Sequence, residues 1–407
     1  MCGLPVLVLI GLASGSADAP VTLKPIIDAR LRYEHVEQVP LAADADALTL
    51  RIRAGFEAKA KDWSFLAESE ALLAINPAYN SGLNGKTTYP IVPDPQNIEL
   101  NRLQLQYRGL PNTVITVGRQ RINLDDQRFV GSVAWRQNEQ TFDAARVEWS
   151  GIEHIKFDLT YADNVRTIWG ADGGNALGPA RLGEIGGNNV LGNVGYTTKY
   201  GALTGFAYLV DQNAAPVFAN SSQTYGGRFV GAYPLSPHVK LTYLASYASQ
   251  SNYRRNPNRY QANYYAGELG LAVNTLTLGG GYEVLGADTK GNGGVAVTSF
   301  QTPLATLHKF NGWADKFLVT PTNGLRDAYG TIGYGWKKPL GLDAIALTAV
   351  YHRFDSDRLG QHYGDEIDAQ AVFRKGKYAA LLKYADYRAD AFGTDTKKFW
   401  ASLEWSI

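Results

Sequence analysis

Cysteine and methionine are almost missing: Cys2 and Met1 are the only ones in 407 residues. No disulfide framework and no cysteine-based metal site can therefore form within one chain. Neither sign of charge is in excess, with 39 Lys+Arg against 38 Asp+Glu, so no global field draws nucleic acid. Past the N-terminus no apolar run approaches the roughly 18 residues of a membrane helix. That excludes a helical membrane protein but leaves a barrel open, because barrel strands are only half apolar. No Pro/Ser run, charge block or shift in composition marks a linker. G-x-S-x-G, H-E-x-x-H and P-loop patterns are absent as well.

What the chain does have is a rhythm. About eighteen period-2 strands are separated by connections that alternate strictly between short and long. Tight turns are expected near Lys61-Asp62, Leu110–Asn112, Ser150–Ile152, Tyr200-Gly201, Leu235–Pro237, Asn274, Lys338–Gly341 and Lys375–Lys377. Long connections are expected at 36–46, 76–97, 122–140, 164–190, 213–222, 251–260, 286–325, 356–364 and 390–396. A soluble sandwich has no reason to alternate in this way. A bacterial outer-membrane barrel does, with short periplasmic turns and long extracellular loops. High Gly (43), Tyr (24) and Trp (8) suit tight turns and interfacial aromatic girdles. The expected fold is all-β: a transmembrane antiparallel up-and-down barrel over residues 20–407. Residues 1–19 read as a signal peptide, from the apolar run Leu4–Leu12 and the small residues that follow, with cleavage near 17–19.

Alternation sets the faces. Leu48, Leu50, Ile52, Ala54 and Phe56 share one face, and Thr49, Arg51, Arg53 and Glu57 the other. Arg30 and Arg32 stand likewise opposite Ala29, Leu31 and Tyr33. A two-residue turn at Lys61-Asp62 pairs Ala60 with Trp63 and sets Arg53 opposite Glu70. Strand 4 is irregular: Ile98 and Leu100 fall on the polar side, so a bulge near Leu100 or inward packing is expected. Eighteen strands leave an aqueous channel.

The stretch VGRQRINLDDQRFVGSVAWRQNEQTFDAARVEW, residues 117–149, resembles the alginate export family of outer-membrane porins. So does FQTPLATLHKFNGWADKFLVTPTNGLRDAY, residues 300–329. The resemblance implies an eighteen-stranded monomeric barrel in the bacterial outer membrane. It also implies a charged lumen that passes an anionic polysaccharide or another anionic solute passively. No cofactor is implied, and no nucleic-acid partner. The expected partners are outer-membrane lipid and lipopolysaccharide, the barrel assembly machinery, and an anionic saccharide or organic acid as solute. Barrels of this kind usually end on an aromatic residue; here Trp405 is third from the end and Ile407 is last.

With the polar face turned to the lumen, twelve basic and twelve acidic residues can be assigned inward, and no overall sign results. Their distribution is uneven. Arg30, Arg32, Arg51 and Arg53 sit on neighbouring strands as a basic ladder, with Arg102 and Arg146 further round and Glu68 and Glu70 nearby. Arginine stays charged and grips carboxylates in a bidentate manner. A carboxylated sugar or aromatic acid could step along such a ladder. Cross-strand pairs such as Arg53–Glu70 could equally neutralise one another. In the 117–149 motif, Arg119, Arg121, Asp125, Asp126, Arg128, Arg136, Gln137 and Asp143 surround Trp135 and Phe129. Loop 122–140 is long enough to fold into the barrel as a constriction, where charge and ring face would contact the solute; alternatively the charges only tie the loop to the wall. Asp125-Asp126 lacks EF-hand spacing for calcium. Loop 286–325, with Leu304, Leu307, Phe310, Trp313 and Phe317, could lid the pore or cap the wall.

Two other classes are weighed against the channel. An outer-membrane hydrolase would need a positioned His beside a nucleophile, but the six histidines are scattered. Glu68 and Glu70 lie about 7 Å apart by strand rise, a spacing that could suit glycoside hydrolysis, yet Arg53 beside them argues for structure. A non-conducting structural barrel would need a filled lumen.

Overall fold

The computed structural model describes residues 20–174, 180–289 and 296–407. The expected signal segment 1–19 lies outside the described residues. Eighteen strands follow in chain order. They are β1 (Thr22–Gln38), β2 (Ala45–Ala60), β3 (Trp63–Ala78), β4 (Asn97–Tyr107), β5 (Thr113–Gln120), β6 (Thr141–Trp149), β7 (Ile155–Arg166), β8 (Glu184–Thr198) and β9 (Gly201–Val210). The second half comprises β10 (Ser222–Ser236), β11 (Val239–Asn252), β12 (Gln261–Val273), β13 (Leu276–Leu285), β14 (Leu325–Lys337), β15 (Ala344–Asp355), β16 (His362–Lys375), β17 (Tyr378–Ala389) and β18 (Thr396–Ser406). Each strand pairs antiparallel with its sequence neighbours, and β1 pairs with both β2 and β18, so the sheet closes into a barrel. Closure leaves no backbone edge to be satisfied in lipid.

The register follows the sequence. Ala60 faces Trp63 and Arg53 faces Glu70 across the Lys61-Asp62 turn. Lys61 adopts φ 51°, the left-handed conformation a two-residue hairpin turn requires. The bulge lies where strand 4 lost its alternation: Arg102 pairs with Glu68 but Leu100 pairs with Ser69, leaving Asn101 as the extra residue. Ile98 and Leu100 thereby turn outward, at 80% and 42% exposure, and Asn101 is buried inside. Connections shift by a few residues. The strands run on past the expected ends, so 164–190 narrows to 167–183, 36–46 narrows to 39–44, and the turn after β10 moves to 237–238. The outward side chains, among them Leu31, Leu73, Leu159, Leu269, Ile332, Ile367 and Leu403, are exposed apolar residues, as a wall in contact with lipid requires.

The tightly packed core sits inside the barrel. Two long connections, 121–140 and, in its described residues 286–289 and 296–324, the one after β13, fold inward and bury Ile122, Leu124, Val130, Phe300, Leu304 and Phe317. These pack against Phe142, Phe206, Tyr264, Phe354, Tyr387 and Trp400 of the wall. The two loops are joined to each other by a parallel bridge between Val130 and Leu304. Gly131 N–H donates to the Leu304 carbonyl at 2.9 Å, and Thr306 N–H to the Gln127 carbonyl at 3.1 Å.

Candidate functional site

The first inward loop turns sharply because Asp125, Gln127 and Val133 all adopt positive φ, and because Asp126 Oδ1 accepts from the Arg128 amide at 3.2 Å. These turns spread its side chains over distant parts of the wall. Arg128 reaches β13, where its Nε donates to Glu283 at 2.7 Å and its Nη2 to Asn311 of the second loop at 3.0 Å. Arg136 reaches Glu34 of β1 at 3.2 Å and Asp315 of the second loop at 2.9 Å. Gln137 N–H donates to Asp94 at 2.9 Å. Asp125 accepts from Asn193 of β8 at 3.0 Å, and Asp126 pairs with Arg228 of β10 at 2.9 Å.

The basic ladder divides in two. Arg51 pairs with Asp28 and with Glu404, and Arg53 with Glu70 and Glu139, so carboxylates compensate both. Arg30 and Arg32 instead donate to the loop. Arg30 Nε donates to Gln137 Oε1 at 2.8 Å and its Nη1 to the Ala134 carbonyl at 3.2 Å. Arg32 Nη1 donates to the Trp135 carbonyl at 2.7 Å, and its guanidinium lies 4.2 Å from the Trp135 ring centroid. Among the described residues neither Arg30 nor Arg32 forms an ion pair. Further round, Arg102 and Arg121 share Glu68, Arg119 holds Asp143, and Arg146 holds Asp158. The wall therefore carries a chain of cross-strand pairs, and the loop motif adds to it.

Sequence reasoning missed the hub on the second loop. His308 stacks on Trp135 with centroids 4.4 Å apart and planes 5° apart. Its Nδ1 lies 2.7 Å from Asp315, and its Nε2 lies 2.8 Å from Lys383 Nζ of β17. An ammonium can only donate, so Nε2 is the acceptor and the proton sits on Nδ1, facing Asp315. Asp315 also accepts from Lys398 at 2.8 Å. The signal for Lys383 was present, as a lone cation at an inward position of the strand segment Ala379–Tyr384.

Burial pushes His308 well below its ordinary 6.5, and Lys383 adds to the effect. Burial opposes ionisation of Asp315, but His308, Lys398 and Arg136 outweigh it and hold the carboxyl well below its usual range. Burial and then Lys398 push Lys316 down to about 8. For these three groups the docked loop binds fewer protons than a solvated one, so their own contribution to docking grows as pH rises. His308 then costs docking strength as pH falls below 6.5, up to about 1.4 kcal/mol per pH unit. The expected outcome is more frequent opening in single-channel records on going from pH 7 to pH 5. Records with unchanged opening over that range would refute it.

Two cavities flank the joined loops. One of ≈ 310 Å³ is lined by Val133, Ile168, Trp169, Leu307 and Leu318, with Arg136 and His308. The other, ≈ 400 Å³, is lined by Phe129, Tyr264, Phe310 and Tyr329, with Arg228 and Lys309. No described residue lines both.

A family model described as alginate export matches residues 45–167. That segment runs from β2 to β7 and contains the first inward loop. No curated protein matches the chain. Among solved structures, Pseudomonas aeruginosa OpdK with vanillate aligns at TM-score 0.67 and 11% identity, covering 95% of this chain and 98% of that one. Pseudomonas aeruginosa OpdL aligns at 0.66 and 15%, with the same coverage. Acinetobacter baumannii OccAB4 aligns at 0.65 and 12%, again covering 95% and 98%. These likenesses concern the fold. The chain is thus a closed eighteen-stranded antiparallel barrel with the fold of these outer-membrane porins, carrying an alginate export segment across β2 to β7 and two loops folded into its lumen.

Proposed function

We propose that this porin passes small anionic solutes with a ring, sugar acids or aromatic acids, passively through its lumen. One observation carries the reading. Around Trp135 stand Arg30, Arg32 and Lys383, and among the described residues none of the three forms an ion pair. Positive charge held by carbonyls and ring faces, with no carboxylate in direct contact, favours the opposite ion at a narrow, low-dielectric level. Trp135 supplies an apolar face beside that charge, and in the lumen cavity the rings of Phe310, Tyr264 and Tyr329 stand with Lys309 and Arg228. A cavity of ≈ 400 Å³ suits a solute of one or two rings. One structure of similar fold holds vanillate, an aromatic acid of that size. The reading is of a channel rather than an enzyme, in line with the porins the chain resembles.

A second reading, export of an anionic polysaccharide, draws on the alginate export segment at 45–167. The experiment that separates them is a planar-bilayer measurement with a salt gradient, followed by uronate oligomers of rising length. The expected result is an anion-selective reversal potential, with passage of the monomer and blockage by the longer oligomers. Replacing Arg32 by Gln should move the reversal potential toward zero. A cation-selective or sealed barrel would sink the anionic reading, and free passage of long oligomers would select the polymer.

A further inference from the structure

We propose that Lys383 is the positioning residue of the constriction: its ammonium pins both inward loops to the wall and so sets the largest solute that passes. Its Nζ lies 4.1 Å from the ring centroid of Trp135 in the first loop and 3.8 Å from that of Trp313 in the second. Among the described residues its hydrogen-bond partner is His308, also in the second loop, at 2.8 Å. Trp400 of β18, its register partner on the wall, lies at 5.6 Å. The side chain is 5% exposed and, among the described residues, forms no ion pair. Indole faces and one imidazole nitrogen thus stand where water or a carboxylate would.

That environment makes closure conditional. An ammonium is strongly hydrated, and its burial is offset only while several groups face it together. Indole is the strongest of the aromatic faces for a cation. If either loop lifts, one face is lost and water reaches the charge, which weakens the hold on the other loop. The same point leads onward through His308 to Asp315, and from Asp315 to Arg136 of the first loop and Lys398 of the wall. A single side chain therefore couples two loops and two strands into one two-position element. This does not depend on which solute the channel carries.

The test uses neutral sugars of rising size in a liposome-swelling assay, with single-channel conductance alongside. Lys383→Met keeps length and apolar packing and removes the charge. It is expected to admit di- and trisaccharides several-fold faster relative to a monosaccharide and to raise conductance. Lys383→Arg, which keeps a cation over the indole rings, should restore most of the wild-type cut-off, a rescue that mere packing would not predict. Wild-type size exclusion in Lys383→Met would overturn the proposal. Should that variant fail to assemble, Trp313→Leu, which removes one face and leaves the charge, decides by the same readings: a widened cut-off supports the pin and an unchanged one overturns it. Because neutral sugars report width alone, a failed anion-selectivity measurement leaves this result standing.

Discussion

Replacing Arg53 by Met is expected to free the first inward loop and to cost about 3–5 kcal/mol, the usual scale for removing one partner of a buried ion pair. Arg53 Nε donates to Glu70 across the β2–β3 register, and its Nη2 lies 3.3 Å from Glu139 of the loop. Both carboxylates are fully buried, with side chains at 0% exposure. Without the guanidinium, Glu70 and Glu139 face each other in a low-dielectric site, where either ionisation or protonation carries a cost. Arg121 still reaches Glu139 at 2.5 Å but leaves Glu70 alone. The measurement is the denaturation midpoint of the refolded barrel together with its conductance, which should rise as the loop leaves. The double variant Arg53→Met, Glu70→Gln should recover part of the loss, giving a coupling energy by the double-mutant cycle. A single variant within about 1 kcal/mol of wild type would show that the pair behaves like an exposed one. Replacing Arg51 should do less, because its partners Asp28 and Glu404 are 21% and 39% exposed and water can take over.

Gly312→Ala is expected to unseat the second loop. Gly312 has φ +82°, a region that costs other residues about 1–3 kcal/mol. An added Cβ would also overlap the Glu366 carboxylate. That carboxylate accepts from the Ala314 amide at 2.7 Å, and Asp368 beside it accepts from the Trp313 amide at 3.2 Å. The overlap would therefore disturb the two wall carboxylates that hold the loop backbone. About 2 kcal/mol would make undocked loops roughly thirty-fold more frequent, read as faster proteolysis within 286–324. Proteolysis at the wild-type rate in Gly312→Ala would refute it.

Much of the wall was legible without coordinates. Period-2 alternation leaves a strand two choices of face, and a two-residue turn removes the remaining freedom of register. That is why Ala60–Trp63 and Arg53–Glu70 could be paired from the text, and why the broken alternation at Ile98 and Leu100 pointed to a bulge near Leu100 or inward packing, of which the structure has the bulge, at Asn101. Loop 122–140 could be read as long enough to enter the lumen, but not where it would land. Its landing depends on residues more than 100 positions away, such as Arg30 at Gln137 and Arg128 at Glu283.

The sequence by itself determined the closed barrel, the alternation of its faces and its short-and-long connections, because each rests on contacts between residues close in the chain or adjacent in register. Only the tertiary structure decided which arginines are compensated by carboxylates and which by carbonyls. It also decided that two loops join through Val130 and Leu304, and that Lys383, His308 and three tryptophans meet at one point. The physical reason is that an inward side chain on an eighteen-stranded wall faces a lumen shared by every strand. Its partner is then chosen by how the loops fill that space, and alternation along one strand carries no information about it.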